Sequence, residues 1–145
     1  MRLWHGGMPG LRPGDILMGG HERRTHPGCP WCEARSTGRT LVVDGHPIDG
    51  PSARPDRLYL TADRDYARFY ASLWGRGDLY RVTPIGDLEV SDEDHAFPSW
   101  TAPSGQVVAV YARAVLLTMT QRRALLRRWK AGDERAAAER LAVTP

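Results

Sequence analysis

The chain has 145 residues, of which 41% are hydrophobic and 26% charged, and its formal net charge is +3 at pH 7. These values are typical of one globular domain with a sizeable core and exclude a largely disordered chain. No apolar run approaches the roughly 20 residues needed to span a bilayer, and the first residues lack the apolar core of a secretory signal. We therefore expect one cytoplasmic domain over residues 1–145, monomeric and without membrane contact.

The basic side chains are almost all arginine, since Lys130 is the only lysine. Genome composition can produce such a bias as readily as selection, so a solvated basic face is the simpler interpretation. A cluster on a predicted helix could nevertheless meet nucleic-acid phosphates. Its members are Arg122, Arg123, Arg127, Arg128 and Lys130.

The chain begins with a predicted strand over Arg2 to His5, followed by a turn over Pro9 to Gly14. From Met18 to Pro55 there is little periodicity, and this region is long for a loop, so something other than a core should stabilise it.

Four metal-ligating side chains lie within that region, and the two-residue gap between its cysteines lets a tight turn present two thiolates to one metal. They are His21, His26, Cys29 and Cys32, with His46 as a substitute for either histidine. Two sulfurs and two imidazoles predict a closed, structural zinc site in an insertion around residues 19–40. A redox pair and two inert thiols are the alternatives.

Residues 57–61 form the next predicted strand, and Asp63 is a plausible N-cap for a helix that runs through Trp74. Its aromatic residues Tyr66, Phe69 and Tyr70 recur at helical spacing, and the Gly75–Gly77 segment should end the helix.

Strands are then predicted over 78–83 and 88–90, separated by a turn at 84–86. Trp100 fits either a lid or a surface anchor. The most apolar strand, Val107–Tyr111, should be central.

The pattern from Thr118 to Gln121 is a capping box. It opens a helix whose inner stripe is predicted to be Met119, Leu125, Leu126 and Trp129, and which Gly132 should stop or kink. The predicted fold class is α+β.

Four residues from these elements would suit the binding of nicotinamide. Its flat cationic ring is attracted by aromatic faces, and Tyr59 and Tyr70 could hold both sides. The backbone of Gly6 can approach the carboxamide closely because no Cβ intrudes. The His5 side chain can hydrogen-bond a ribose hydroxyl. The alternative is that both tyrosines are ordinary core aromatics and that His5 is a satisfied, partly buried histidine.

Several short motifs, in this order and spacing, carry a resemblance to a known family. They are His5–Gly7, Leu11–Ile16, Leu58–Ala62 with the helix that bears Tyr70, Leu79–Gly86, Phe97–Pro98 and Val107–Tyr111. Together they resemble the ADP-ribosyltransferase fold of the His-Tyr class, and in particular the small rifamycin ADP-ribosyltransferases. The resemblance covers nearly the whole chain. It implies a split β-sandwich with flanking helices and NAD as co-substrate.

The chain differs from the family pattern at the acidic residue. In His-Tyr-Glu members a glutamate opens the strand that here begins with Gln106, and an amide brings no charge to stabilise a developing cation. In the rifamycin-modifying relatives an acid lies in the segment that corresponds here to Asp87–Asp94. The position that best matches this acid is Ser91, and Asp92 lies one place beyond it. We therefore take Gln106 and Asp92, with His5 and Tyr70, as candidate catalytic residues, and weak or lost activity remains an alternative.

The resemblance implies transfer of ADP-ribose from NAD to an acceptor, with release of nicotinamide. Arg12 or Arg81 would hold a phosphate. Small molecules, proteins and nucleic acids are all open as acceptors. The main alternative is a non-catalytic, zinc-stabilised module of the same fold that binds a nucleotide, a protein or nucleic acid. An RNA 2′-phosphotransferase resembles the chain less, and a zinc-knuckle nucleic-acid binder would leave His5, Tyr59 and Tyr70 unexplained.

Overall fold

The computed structural model describes residues 1–19, 30–39, 41–43, 46–48, 56–73 and 76–143. Nine strands and three helices lie in this part of the chain, and runs of two to four strands precede each helix. The strands are β1 (Leu3–Gly7), β2 (Ile16–Met18), β3 (Leu41–Val43), β4 (His46–Ile48), β5 (Leu58–Thr61), β6 (Asp78–Ile85), β7 (Glu89–Ser91), β8 (Ser99–Ala102) and β9 (Ser104–Ala112). The helices are α1 (Pro30–Ser36), α2 (Arg64–Leu73) and α3 (Met119–Val143).

Seven of these strands form one antiparallel sheet in the order β2-β9-β6-β1-β5-β8-β7, and β3 pairs with β4 separately. The predicted α+β class is confirmed. The prediction that Val107–Tyr111 is central is wrong, because β9 is second from one edge and β1 occupies the middle. Its apolar run does not require burial on both faces, since Val108 and Tyr111 are exposed.

The sheet has two halves that are joined at β1 and β5. On one side, β1 pairs with β6 from Leu3 opposite Val82 to Gly7 opposite Asp78. On the other side, β1 pairs with β5 at one position, where Trp4 lies opposite Thr61. The strand ladder is therefore short at this junction.

Alternation along the strands divides the core between the two faces of the sheet. One face carries a cluster, here called the sheet cluster, to which both halves contribute: Leu3, Leu17, Leu58, Leu60, Tyr80, Val82, Ala102 and Val107. On the other face Trp4 packs with Ala67 and Ala71 of α2. The aromatic residues of α2 meet Phe97 and the Leu125 and Trp129 side chains of α3. We call this group the aromatic cluster.

The starts of α2 and α3 follow the sequence prediction. The Asp63 carboxylate accepts the Tyr66 N–H at 3.0 Å, which caps α2. At the start of α3 the Thr118 N–H donates to Gln121 Oε1 at 2.9 Å, and the Gln121 N–H donates to Thr118 Oγ1 at 3.1 Å. This reciprocal pair is the predicted capping box.

Three details of the prediction are wrong. The helix α3 continues through Gly132, which is buried where a Cβ would lie 2.7 Å from the Cβ of Ala96. Its absent side chain allows close packing and does not end the helix. Met119 is exposed and contributes nothing to the inner stripe. Trp100 is neither a lid nor a surface anchor, because it lies on β8 and packs against the sheet cluster.

Candidate functional site

His5 lies on β1 beside the junction of the two halves of the sheet. Its Nδ1 is 3.0 Å from the main-chain oxygen of Tyr59 on β5. Because a carbonyl oxygen only accepts, Nδ1 carries the proton and Nε2 is left as an acceptor. Burial lowers the pKa of His5, an effect that the Tyr59 carbonyl partly opposes. The imidazole is therefore neutral at pH 7 and offers a hydrogen-bond acceptor.

Gly6 has a structural role in addition to the binding role predicted for it. A Cβ at this position would lie 1.8 Å from the main-chain oxygen of Ala67 and 2.7 Å from the nitrogen of Ala71. The glycine thus lets α2 lie directly on β1. This close contact fixes the distance between the strand that carries His5 and the helix that carries Tyr70.

The two tyrosines predicted to hold nicotinamide, Tyr59 and Tyr70, lie on β5 and α2, and their hydroxyls have different hydrogen-bond partners. The Tyr59 hydroxyl donates to Glu93 Oε2 at 2.5 Å. The Tyr70 hydroxyl lies 3.0 Å from that of Tyr66, and the Tyr70 ring meets those of Tyr66 and Phe69 edge to face. Tyr70 therefore belongs in part to the aromatic cluster.

The acid that contacts Tyr59 is Glu93, whereas the sequence pointed to Asp92. Asp92 is exposed in the segment after β7. The carboxylate that accepts a hydrogen bond from Tyr59 belongs to the next residue, Glu93. Ser91 lies 3.4 Å from the same carboxylate oxygen. Sequence reasoning missed Glu93 because it did not identify β8. The pairing of β7 with β8 and of β8 with β5 brings this segment beside Tyr59.

The structure does not bring Gln106 to His5. Gln106 is exposed on β9, and β6 lies between β9 and β1. Its neighbour Val107 points into the sheet cluster, so Gln106 is on the opposite face. Its amide donates to the Gly14 carbonyl at 3.4 Å. Gln106 is therefore remote from a ribose held by His5.

The two arginines predicted to bind phosphate are both exposed. Arg12 is exposed in the turn before β2, where its backbone N–H donates to Asp15 at 2.8 Å. Arg81 is exposed on β6 opposite Trp4, whose side chain is on the α2 face. Neither makes a described contact with Tyr59 or His5. No phosphate site follows from their positions.

A buried carboxylate secures the loop that follows Gly7. Asp78 accepts the Gly10 N–H at 2.9 Å and the Ala114 N–H at 2.8 Å, and it pairs with Arg113 at 2.5 Å. Burial by itself would raise the pKa of Asp78, but these donors together lower it. Asp78 is therefore ionised at neutral pH and holds the ends of three segments together.

The predicted zinc ligands His21, His26 and Cys29 lie outside the described residues, as does the side chain of His46. Cys32 is described and is buried on α1. Within the described ranges, no group of at least three His, Cys, Asp or Glu side chains could hold a metal. The zinc site remains a prediction.

Comparison with known proteins does not assign the chain to a family. No family model matches it, and no curated protein matches it. In the part of the chain that the structure describes, no helix combines the length and apolar character needed to cross a membrane. The site must be interpreted from its own residues.

Proposed function

We propose that this protein is an NAD-dependent mono-ADP-ribosyltransferase that transfers ADP-ribose to an acceptor and releases nicotinamide. In this proposal the two sheet halves form the split β-sandwich of that fold, and NAD binds where they meet. The observation that carries the proposal is the link from the His5 ring to Tyr59, whose own hydroxyl reaches Glu93. His5 contacts the main chain of Tyr59, and the Tyr59 side chain contacts the Glu93 carboxylate, so the three residues are neighbours at the junction.

Each side chain has a role that its chemistry supports. Nε2 of the neutral His5 ring accepts a hydrogen bond from a ribose hydroxyl, and the rings of Tyr59 and Tyr70 contact the nicotinamide. The Gly6 backbone binds the carboxamide. The contact between Gly6 and Ala67 supports this arrangement because it holds α2, and therefore Tyr70, close to β1.

Glu93 is the acid in this proposal, in place of Asp92, and Gln106 is given no catalytic role. When the bond between ribose and nicotinamide breaks, its electron pair leaves with the nicotinamide and positive charge develops on the sugar. A carboxylate fixed nearby stabilises that charge, and the acceptor nucleophile then bonds to the same carbon and loses its proton. The Tyr59 hydroxyl helps to hold the Glu93 carboxylate in place by donating to it.

Structural zinc belongs to the same proposal. Thiolates and imidazoles form the ligand set that zinc prefers, and binding would offset the entropy of ordering a region with few apolar residues. Burial of Cys32 is compatible with a closed site. Zinc would take no part in the transfer.

A non-catalytic module that binds NAD is the second candidate. The observation that favours it is the position of Gln106, which takes the place of the family glutamate and is turned toward Gly14. Such a module would bind NAD without releasing nicotinamide.

Two measurements separate these functions. NAD should raise the melting temperature of the protein under both proposals, by the linkage between binding and stability. Chromatographic detection of free nicotinamide, with cell extract as a source of acceptors, should be positive only for the transferase. No thermal shift and no nicotinamide would contradict both.

A further inference from the structure

In the described part of the chain, α2 covers only part of the face of the sheet on which it packs. The helix contacts β1 at Gly6, and Trp4 points to the same face, where it packs with residues of α2. Arg81 lies opposite Trp4 in the pairing of β1 with β6, so its side chain is on this face too. From there toward β9 and β2 the same face carries exposed side chains, namely Ile16, Met18, Thr83, Ile85 and Gln106.

An exposed aromatic ring is fixed at the border of this area. Tyr111 of β9 is 55% exposed, and its ring meets the buried Trp4 ring edge to face with centroids 5.1 Å apart. The Arg64 guanidinium lies 4.9 Å from the centre of the Tyr111 ring and donates to the Tyr111 hydroxyl at 2.6 Å. These contacts hold the ring and the guanidinium in place before any ligand binds. We call the area formed by Arg64, Arg81, Tyr111 and the five exposed residues above the open face.

The charged side chains of the open face are all basic. The strands β2, β6 and β9 contain a single acid, Asp78, and it is buried. The only acid of α2, Asp65, is paired with Arg68 at 3.9 Å. Arg81 has no ion-pair partner among the described residues. A single arginine does not make a phosphate site, but Arg81 and Arg64 on one acid-free surface favour an anionic partner.

We propose that the open face binds single-stranded nucleic acid. Arg81 contacts a backbone phosphate, and an unpaired base stacks on the surface that Tyr111 and Arg64 present. Aromatic rings and guanidinium planes are the surfaces on which unpaired bases stack, and such stacking tolerates any base sequence. A duplex keeps its bases stacked inside and cannot use the ring.

Two other partners fit this surface less well. In a symmetric contact with a second copy of the chain, the arginines of one open face would meet those of the other. An acidic peptide would match the charge and leave the exposed ring without a stacking partner. The inference goes beyond the proposed function, because no residue of the open face has a role in the proposed transfer of ADP-ribose.

Binding of a labelled oligouridylate of about 12 nucleotides, measured by fluorescence anisotropy without NAD, tests the proposal. Tyr111→Leu should weaken binding about tenfold, because one base loses its stacking partner. Tyr111→Phe keeps the ring and should stay within about twofold. Arg81→Gln should weaken binding and lower the slope of log Kd against log salt by about 0.7, the effect of one lost phosphate contact on a single strand.

Arg123→Gln is the matched control, since it removes one charge from an exposed position of α3 and should leave the affinity within about twofold. An equal loss of affinity in Arg123→Gln and Arg81→Gln would overturn the proposal. So would binding of a duplex or of polyglutamate as tight as that of the single strand, or no binding at low salt. If Tyr111→Leu does not fold, the exposed substitution Arg81→Gln still decides. Because NAD is absent, these results leave the test of the transferase separate.

Discussion

The ring nitrogen Nδ1 of His5 lies 3.0 Å from the main-chain oxygen of Tyr59, across the junction between the two halves of the sheet. The strand ladder is short at this point, so a side chain supplies a hydrogen bond between β1 and β5 there. The same bond fixes the tautomer of His5 and leaves Nε2 as an acceptor. One contact therefore links the architecture of the sheet to the chemistry proposed for the site.

Glu93 and Asp92 are adjacent acids, and substituting each in turn tests which of them assists catalysis. Glu93 is the acid proposed from the structure, and Asp92 is the one predicted from sequence. Glu93→Gln should lower the rate of nicotinamide release about 100-fold, because an amide cannot stabilise the charge that develops on the sugar. Asp92→Asn should remain within about twofold of the unmodified protein, since the Tyr59 hydroxyl donates to Glu93 and not to Asp92. Initial rates at saturating NAD measure both. The reverse order of effects would favour Asp92.

Asp78 should make stability depend on pH. Its pKa is lowered in the folded protein, so its contribution is present above the unfolded value of about 3.9 and is lost as the pH falls through the folded value. Asp78→Asn should reduce the free energy of unfolding by about 2–3 kcal/mol at pH 7. In denaturant titrations this difference should shrink below about pH 4. A difference that is constant down to pH 2, or that the exposed control Asp92→Asn reproduces, would refute the assignment.

Gly132 offers a test of the packing of α3. Alanine is preferred to glycine inside a helix by about 1 kcal/mol, yet Gly132→Ala should destabilise the protein by about 1–3 kcal/mol, because its Cβ would press on Ala96. The matched variant Ala131→Gly lies on the exposed side of the same turn and should cost about 1 kcal/mol from helix propensity alone. Thermal unfolding compares the two. A higher melting temperature for Gly132→Ala would show that the contact with Ala96 is absent.

The zinc prediction can be tested by elemental analysis. Protein purified without a metal-affinity tag should contain about one zinc per chain, held by two cysteines and two histidines. Cys29→Ser should lower this content and also the melting temperature, since metal binding is coupled to folding. Replacement of the exposed His95 should change neither. A content well below one zinc per chain in the unmodified protein would rule out the site.

Sequence reasoning succeeded where local chemistry decides the structure. The Asp63 cap and the pairing of Thr118 with Gln121 follow from side chains that satisfy nearby N–H groups, and both are present. It failed where the structure depends on which strands, distant in sequence, lie side by side in the sheet. The neighbours of β9 and the proximity of Glu93 to Tyr59 depend on the order of strands in the sheet, which periodicity does not encode. Gly132 was misinterpreted for a related reason, because its contact with Ala96 is not local.

The central claim is most directly tested by incubating the protein with NAD and cell extract and measuring free nicotinamide. His5→Ala should abolish the release, and His95→Ala, which changes an exposed histidine, should not. Both variants should unfold cooperatively, and His5→Ala should melt at a somewhat lower temperature because it loses the hydrogen bond to Tyr59. Release that depends on His5 but not on His95 is the predicted result. Full release by a folded His5→Ala variant, or no release together with no stabilisation by NAD, would contradict the account.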